Sequence, residues 1–309
     1  MKKIVFLLVL CLLISCEQDI DNPTADYTWP VVHCLLNCED TVHYLRLGKT
    51  FSGKDVEAMI HNTDSLYFKE ANVYFDIMIN DLEKKTIQLE RVDDMERDPG
   101  VLPAEPFSQY RTTEHLKPGI IDLRIEIPEI NQYVKASISL RGKPYFSSPD
   151  PMYAKVLDFY ESRSVRIRWN GCPFARETII RMWYLEVTEN GRDTCKLDWL
   201  RLNSSFELEP NSWFELMRHS IKDDPKVKAR KLLSIDFLAS GGNYQYCQYL
   251  EKKDAAFDLI GQPYSNLTGA YGFVGSRAKG GIYGYMPDHE FLDSLSNLPH
   301  LKHLKFVHR

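Results

Sequence analysis

Residues 31–47, VVHCLLNCEDTVHYLRL, bring His33, Cys34, Cys38 and His43 within eleven positions. Thiolates and imidazoles at short spacing are the usual ligands of structural zinc, so a metal centre is the first chemistry to weigh. The surrounding pattern argues against it. Residues 31–36 and 42–47 read as two strands of a hairpin around 37–41. Neighbours on a strand face opposite sides of the sheet, so His33 and Cys34 cannot both reach one ion. Cys38 falls in the turn, and His43 shares a face with Leu45 and Leu47. No metal ion and no cofactor is expected here.

Asp94, Glu96, Asp98 and Glu105 copy positions one, three, five and twelve of a calcium-binding loop. Pro99 stands where that loop needs a glycine, and proline cannot take the positive φ required. His300, His303 and His308 belong to an apolar ending, PHLKHLKFVHR, expected to be a last strand with histidines on its exposed edge. Asp223 and Asp224 sit in a charged loop. The chain shows no nucleophile elbow, no HExxH pattern and no phosphate-cradling glycine loop, so the protein is read as a non-enzyme. Gly269, Gly272 and Gly275 alternate with rings and are expected to pack against a tyrosine-rich helix.

Aromatic residues crowd the second half: Trp169, Trp183, Trp199, Trp213, Tyr244, Tyr246, Tyr249, Tyr271, Phe273, Tyr283 and Tyr285. Most are expected in the core. Any left exposed would offer a platform for a sugar or a peptide.

The first fifteen residues, MKKIVFLLVLCLLIS, set two lysines before an apolar run over 4–14, the layout of a secretory signal peptide and too short to span a bilayer. Leu13-Ile14-Ser15-Cys16 then resembles a bacterial lipobox, which makes Cys16 the lipidated residue. Residues 16–28 are polar and acidic and read as a tether. The whole chain has 38 basic and 43 acidic residues. The leader holds two of the lysines and no acid, so the mature chain is more acidic still and is not expected to bind nucleic acid. Beyond Cys11 and Cys16, five cysteines remain, an odd number. Cys34 and Cys38 on an extended strand would lie about 13 Å apart, past disulfide reach. Cys172 and Cys195, near the ends of neighbouring strands, are the better candidates for a pair, and their disulfide state is open.

Strict alternation at 73–79, 121–127 and 134–140 marks half-buried strands. With 31–36, 42–49 and 86–91 these approach the six or seven strands of an immunoglobulin-like β-sandwich over 29–144, with a short helix at 54–62. The Gly, Pro and Ser of 141–151 read as a linker. A second, mostly β domain follows over 152–309. It has a central strand at 178–187, a type I′ turn at Asn190-Gly191 leading into 194–202, and a strand at 232–238. One amphipathic helix near 243–257 is expected, with Asn243 as its N-cap.

The stretch GGNYQYCQYLEKKDAAFDLIGQPYSNLTGAYGFVGSRA resembles the C-terminal signature of a group of Bacteroidota lipoproteins, the domain-of-unknown-function family numbered 4249. The tyrosine helix, Ser265-Asn266 and the turn Gly269-Ala270-Tyr271-Gly272-Phe273 carry the likeness, and VVHCLLNCEDTVHYLRLGKTFSG is similar to that family's first hairpin. The last thirty residues depart from its shorter ending. The resemblance implies a lipoprotein of the outer membrane, and acidic residues behind Cys16 point to the cell surface. It implies a non-enzymatic binding or accessory subunit whose partner is a TonB-dependent transporter or a surface glycan. An adhesion or structural subunit and a carbohydrate-active enzyme are the alternatives.

Overall fold

Alternation of inward apolar and outward polar side chains organises the computed structural model, which describes residues 28–50, 66–78, 83–96, 107–252 and 264–308. Cys16, the expected leader, most of the expected tether, the helix expected at 54–62 and much of the acidic loop of Asp98 and Glu105 lie outside the described residues. The chain is mostly β. Its N-terminal part is a sandwich. One layer is a four-stranded sheet in the order β4-β3-β7-β8: β3 (Asn72–Met78), β4 (Lys84–Gln88), β7 (Gly119–Ile127) and β8 (Gln132–Leu140). The facing layer contains β1 (Pro30–Leu36), β2 (His43–Lys49), β5 (Glu90–Met95) and β6 (Phe107–Thr112). Val73, Phe75, Ile121, Leu123, Ile125, Val134 and Ile138 of the first sheet meet Val32, Leu36, Leu45 and Leu47 of the second. These are the residues that period two assigns to the inner face. The single run expected at 86–91 is two strands. At buried Leu89, whose N–H bonds Val73 O at 2.8 Å, the chain leaves β4 and enters β5 in the other layer.

The second core lies between β9 (Tyr145–Ser148), β11 (Val165–Asn170) and β14 (Ser205–Leu208) on one side and four long strands on the other. These four, in sheet order, are β13 (Arg192–Arg201), β12 (Phe174–Thr188), β15 (Val227–Gly242) and β16 (Tyr271–Pro287). Part of the expected linker is thus strand β9. The N-terminal strands and the four long strands belong to one nine-stranded sheet, because β16 pairs in parallel with β1 from Val31↔Tyr271 to Leu36↔Ser276, then antiparallel with β15; the short β10 (Val156–Leu157), parallel to the end of β16, is the ninth. Ala270 and Val274 pack in the first core, Ala278 and Tyr285 in the second. Gly272 makes this crossing possible. Its φ is +114°, and a Cβ there would fall 2.0 Å from Val32 O.

Three sequence expectations need correction. Among the described residues of the second part the expected helix forms as α2 (Tyr244–Lys252), and two more join it, α1 (Pro210–Ser220) and α3 (His289–Asn297). Trp213, Phe214 and Met217 of α1 and Phe291 and Leu295 of α3 close the second core, which its sheets alone leave open. The hairpin after β12 exists, but Asn190 lacks the positive φ that a type I′ turn needs. A three-residue loop is closed instead by Thr188 N–H to Gly191 O at 2.9 Å. The C-terminal segment is not a strand edged with histidines. It is a short 3-10 turn, Lys302–Leu304, followed by a single bridge from Phe306 to Arg230. Arg230, 2% exposed, holds it there, donating to Leu304 O at 2.8 Å, Lys222 O at 3.0 Å and the Glu186 carboxylate at 2.7 Å.

Candidate functional site

Alternation places the opening residues as their spacing requires. His33 is exposed, Cys34 is buried in the first core, and His43 lies inward beside Leu45. Burial lowers the His43 pKa, with His115 acting in the same direction against Asp40, and among the described residues neither ring nitrogen has a hydrogen-bond partner. Burial pushes the Cys34 thiol to about 12 and the Cys172 thiol to about 11, which makes both poor nucleophiles. All five described cysteines are free, so Cys172 and Cys195 are unpaired. Of the three C-terminal histidines, His308 bonds a carboxylate and another imidazole: its Nδ1 is 2.7 Å from Asp293 Oδ1 and its Nε2 is 3.0 Å from His289 Nδ1. Among the described residues no group of three or more His, Cys, Asp or Glu is arranged to hold a metal ion.

The aromatic residues divide. Trp169, Trp213 and Tyr285 are core, whereas Tyr244, Tyr271 and Tyr283 stay exposed. The tyrosine helix sits on the outward face of β16. Asn243 caps it, its Oδ1 accepting from Tyr246 N at 2.9 Å and from Ser276 N at 3.2 Å, which ties the helix start to the strand. Tyr249 stacks on Phe273 at 4.4 Å between centroids and 20° between planes. Tyr246 lies against Gly242, where a Cβ would be 2.5 Å from the ring. Asn266, from the Ser-Asn element, clamps Val274 with both ends of its amide, at 2.7 and 2.9 Å. The glycine-rich turn is therefore a packing device, with Gly269 and Gly272 admitting the backbones of Tyr133 and Val32.

Beyond the helix the same outward face continues as Arg277, Lys279, Gly281 and Tyr283, because alternate residues of a strand share a face. Register sets Gly281 beside Leu238, Leu238 beside Ile179, and Ile179 beside Leu200. An apolar row thus crosses four strands. Here lies a cleft of about 360 Å³ lined by Ile179, Leu238, Gly281 and Tyr283, with Lys143, Glu177, Arg277 and Lys279 at its rim. Arg277 donates to Ser240 Oγ at 3.0 Å and lies 3.6 Å from Glu177. Lys143 lies 3.6 Å from Glu39. Lys279 is exposed, and no ion pair holds it among the described residues. A charged row borders the cleft: Arg181 is bidentate to Asp198 at 2.7 and 2.8 Å, and Asp236 accepts from Trp183 Nε1 at 2.7 Å and Gly284 N at 2.9 Å.

A larger cleft of about 510 Å³ lies on the outer face of the four-stranded sheet around Asp76. Its central carboxylate is already engaged. Burial would raise the Asp76 pKa, but the Thr86 hydroxyl at 2.6 Å, Lys84 at 3.0 Å and Arg124 at 3.5 Å hold it below the usual carboxylate range. With no ring among its described lining residues, it offers less to a ligand than the cleft beside Tyr283. In the sequence Tyr283 is one ring among many. The signal for the site is the run Arg277-x-Lys279-x-Gly281-x-Tyr283, a period-two face in which the glycine's missing side chain leaves room for the tyrosine ring to fold down beside the cations.

Fold and cleft together define a class: a mostly β protein in which two layered cores share one sheet and the shared strand lines an open cleft. No protein-family profile matches the chain, and no curated protein matches it. Among solved structures, the crystal structure of CBD12 from CALX1.2 aligns over 81% of this chain and 100% of its own at 9% identity, with a TM-score of 0.15, too slight a likeness to support any argument.

Proposed function

We propose that this chain is a lipid-anchored, non-enzymatic binding or accessory protein of the outer membrane, held by Cys16 and facing outward. The observation that carries the reading is the order Lys2-Lys3, apolar run, Leu13-Ile14-Ser15-Cys16, followed by an acidic stretch before β1 begins at Pro30. Two acyl chains on such a cysteine give durable anchoring where one does not. The cleft beside Tyr283 supports binding as the task. Its rim offers cations and its floor a ring, and Glu177, the one carboxylate among its described lining residues, lies against Arg277. The resemblance to the Bacteroidota lipoprotein group adds a TonB-dependent transporter or a surface glycan as partner.

The test is fractionation with labelled palmitate. The full chain should sediment with outer membranes and take up label, and Cys16→Ala should do neither. A Cys16→Ala protein that stays membrane-bound and labelled overturns the anchoring. Crosslinked pull-down from native membranes then reads the partner, and recovery of a TonB-dependent transporter is the expected result.

A further inference from the structure

We infer that the cleft over Gly281 binds a carboxylate-bearing sugar, its ring laid on Tyr283 and its carboxylate met by Lys279 and Arg277. The inference rests on the reading of this chain as a binding protein and names what that cleft takes. A Cβ on Gly281 would lie 2.7 Å from Tyr283 Oη and 2.9 Å from its Cζ, so the phenol ring is folded down onto the glycine. The ring is nonetheless 55% exposed. A ring pinned along a sheet with one face open is a flat surface with negative charge density, and the C–H face of a pyranose presents positive hydrogens to it. Leu238 and Ile179 extend that floor, and a volume of about 360 Å³ is at the small end of ligand pockets, room for a short saccharide and not for a folded partner.

Charge decides between neutral and acidic sugars. Lys279 projects from the same strand face two residues before Gly281, and among the described residues no carboxylate pairs with it. Arg277 is fixed by Ser240 and has Glu177 at only 3.6 Å, a contact too long for a strong bidentate pair, which leaves guanidinium donors for a ligand. A carboxylate bound there would be held by charge-assisted bonds while its ring stacks on Tyr283.

The experiment titrates the full chain with glucuronate, galacturonate and N-acetylneuraminate, and with glucose and galactose as neutral counterparts, by saturation-transfer NMR at low and high salt. Acidic sugars should bind, with contacts from the ring protons, and raised salt should weaken them. Lys279→Ala should weaken binding about tenfold, the loss expected for one charge-assisted bond. Tyr283→Ala and Gly281→Leu should abolish it, and unchanged melting curves would show that the fold survives. Failure of all three acidic sugars to bind overturns the proposal, as does equal affinity for the neutral pair or binding untouched by Tyr283→Ala. Anchoring is read separately on the Cys16→Ala membrane fraction, so the two failures are distinguishable.

Discussion

The first core is closed by two facing sheets whose inner residues alternate with polar outer ones, from Val32 to Leu140, with Ala270 and Val274 added where the shared strand crosses. The second core has the same two layers, yet its three short strands cannot cover β13, β12, β15 and β16. Helices α1 and α3 and the C-terminal segment fill the gap with Trp213, Phe214, Phe291, Leu295, Leu301 and Leu304. The difference teaches that alternation suffices to build a sandwich when the strands match in length. Where they do not, the core depends on pieces brought from far along the chain and held by individual bonds.

The sharpest way to break that contrast is at Arg230. Arg230→Met leaves the carbonyls of Leu304 and Lys222 and the Glu186 carboxylate without their donor. A loss of about 3–5 kcal/mol is expected, as for other buried charge networks stripped of one partner. Urea denaturation should show the second core failing first, and a loss below 1 kcal/mol would mean that the last segment is not part of that core. Gly272→Ala attacks the strand the cores share. With a Cβ at 2.0 Å from Val32 O and a φ of +114°, it should cost about 2–4 kcal/mol and split one melting transition into two. A single unshifted transition would mean that the cores do not depend on each other.

Tyr249→Ala tests the helix on β16. No residue of α2 is fully buried, so the stacked ring should be worth about 1–2 kcal/mol and not the larger loss of a core aromatic such as Trp169→Ala. The gentlest probe is pH. His43 is held neutral in the folded state, with its pKa lowered from the ordinary 6.5. Its contribution is therefore fully present above pH 6.5 and is lost as the pH falls, because the unfolded chain takes up the proton first. His43→Phe should flatten that acid limb in the first core without moving the alkaline one, as followed by melting temperature against pH.

These contrasts also show what could be read before the structure. Residues 121–127 and 134–140 declare an inner and an outer face by period alone, and each face packs as read. Helix α3 carried a signal that went unused: Asp288, whose side chain accepts from Phe291 N, stands before Phe291 and Leu295 at helical spacing. Pro210 ahead of Trp213, Phe214 and Met217 marked α1 in the same way. The parallel pairing of β1 with β16 left no local trace, since its register is set by a distant partner. Asp76 was legible as outward, but not as buried, because its cover comes from Lys84 and Arg124 on neighbouring strands. The cleft was hidden for a similar reason. Gly281 and Tyr283 are legible as a strand, and their meaning depends on Leu238 and Ile179, which arrive by register.

The pairing of β1 with β16 also bears on the order in which the molecule assembles. Val31 and Tyr271 are partners about 240 residues apart, so the first strand to be made must wait for the last long one. Closing so wide a loop is slow in entropy terms, and chains rich in such contacts fold late and slowly. Until β16 arrives, the edge of β1 away from β2 is left open, the kind of surface that chaperones hold and that aggregation exploits. The nascent N-terminal half is thus expected to remain open for as long as the C-terminal half is still emerging, a delay written into the topology and not into any one residue.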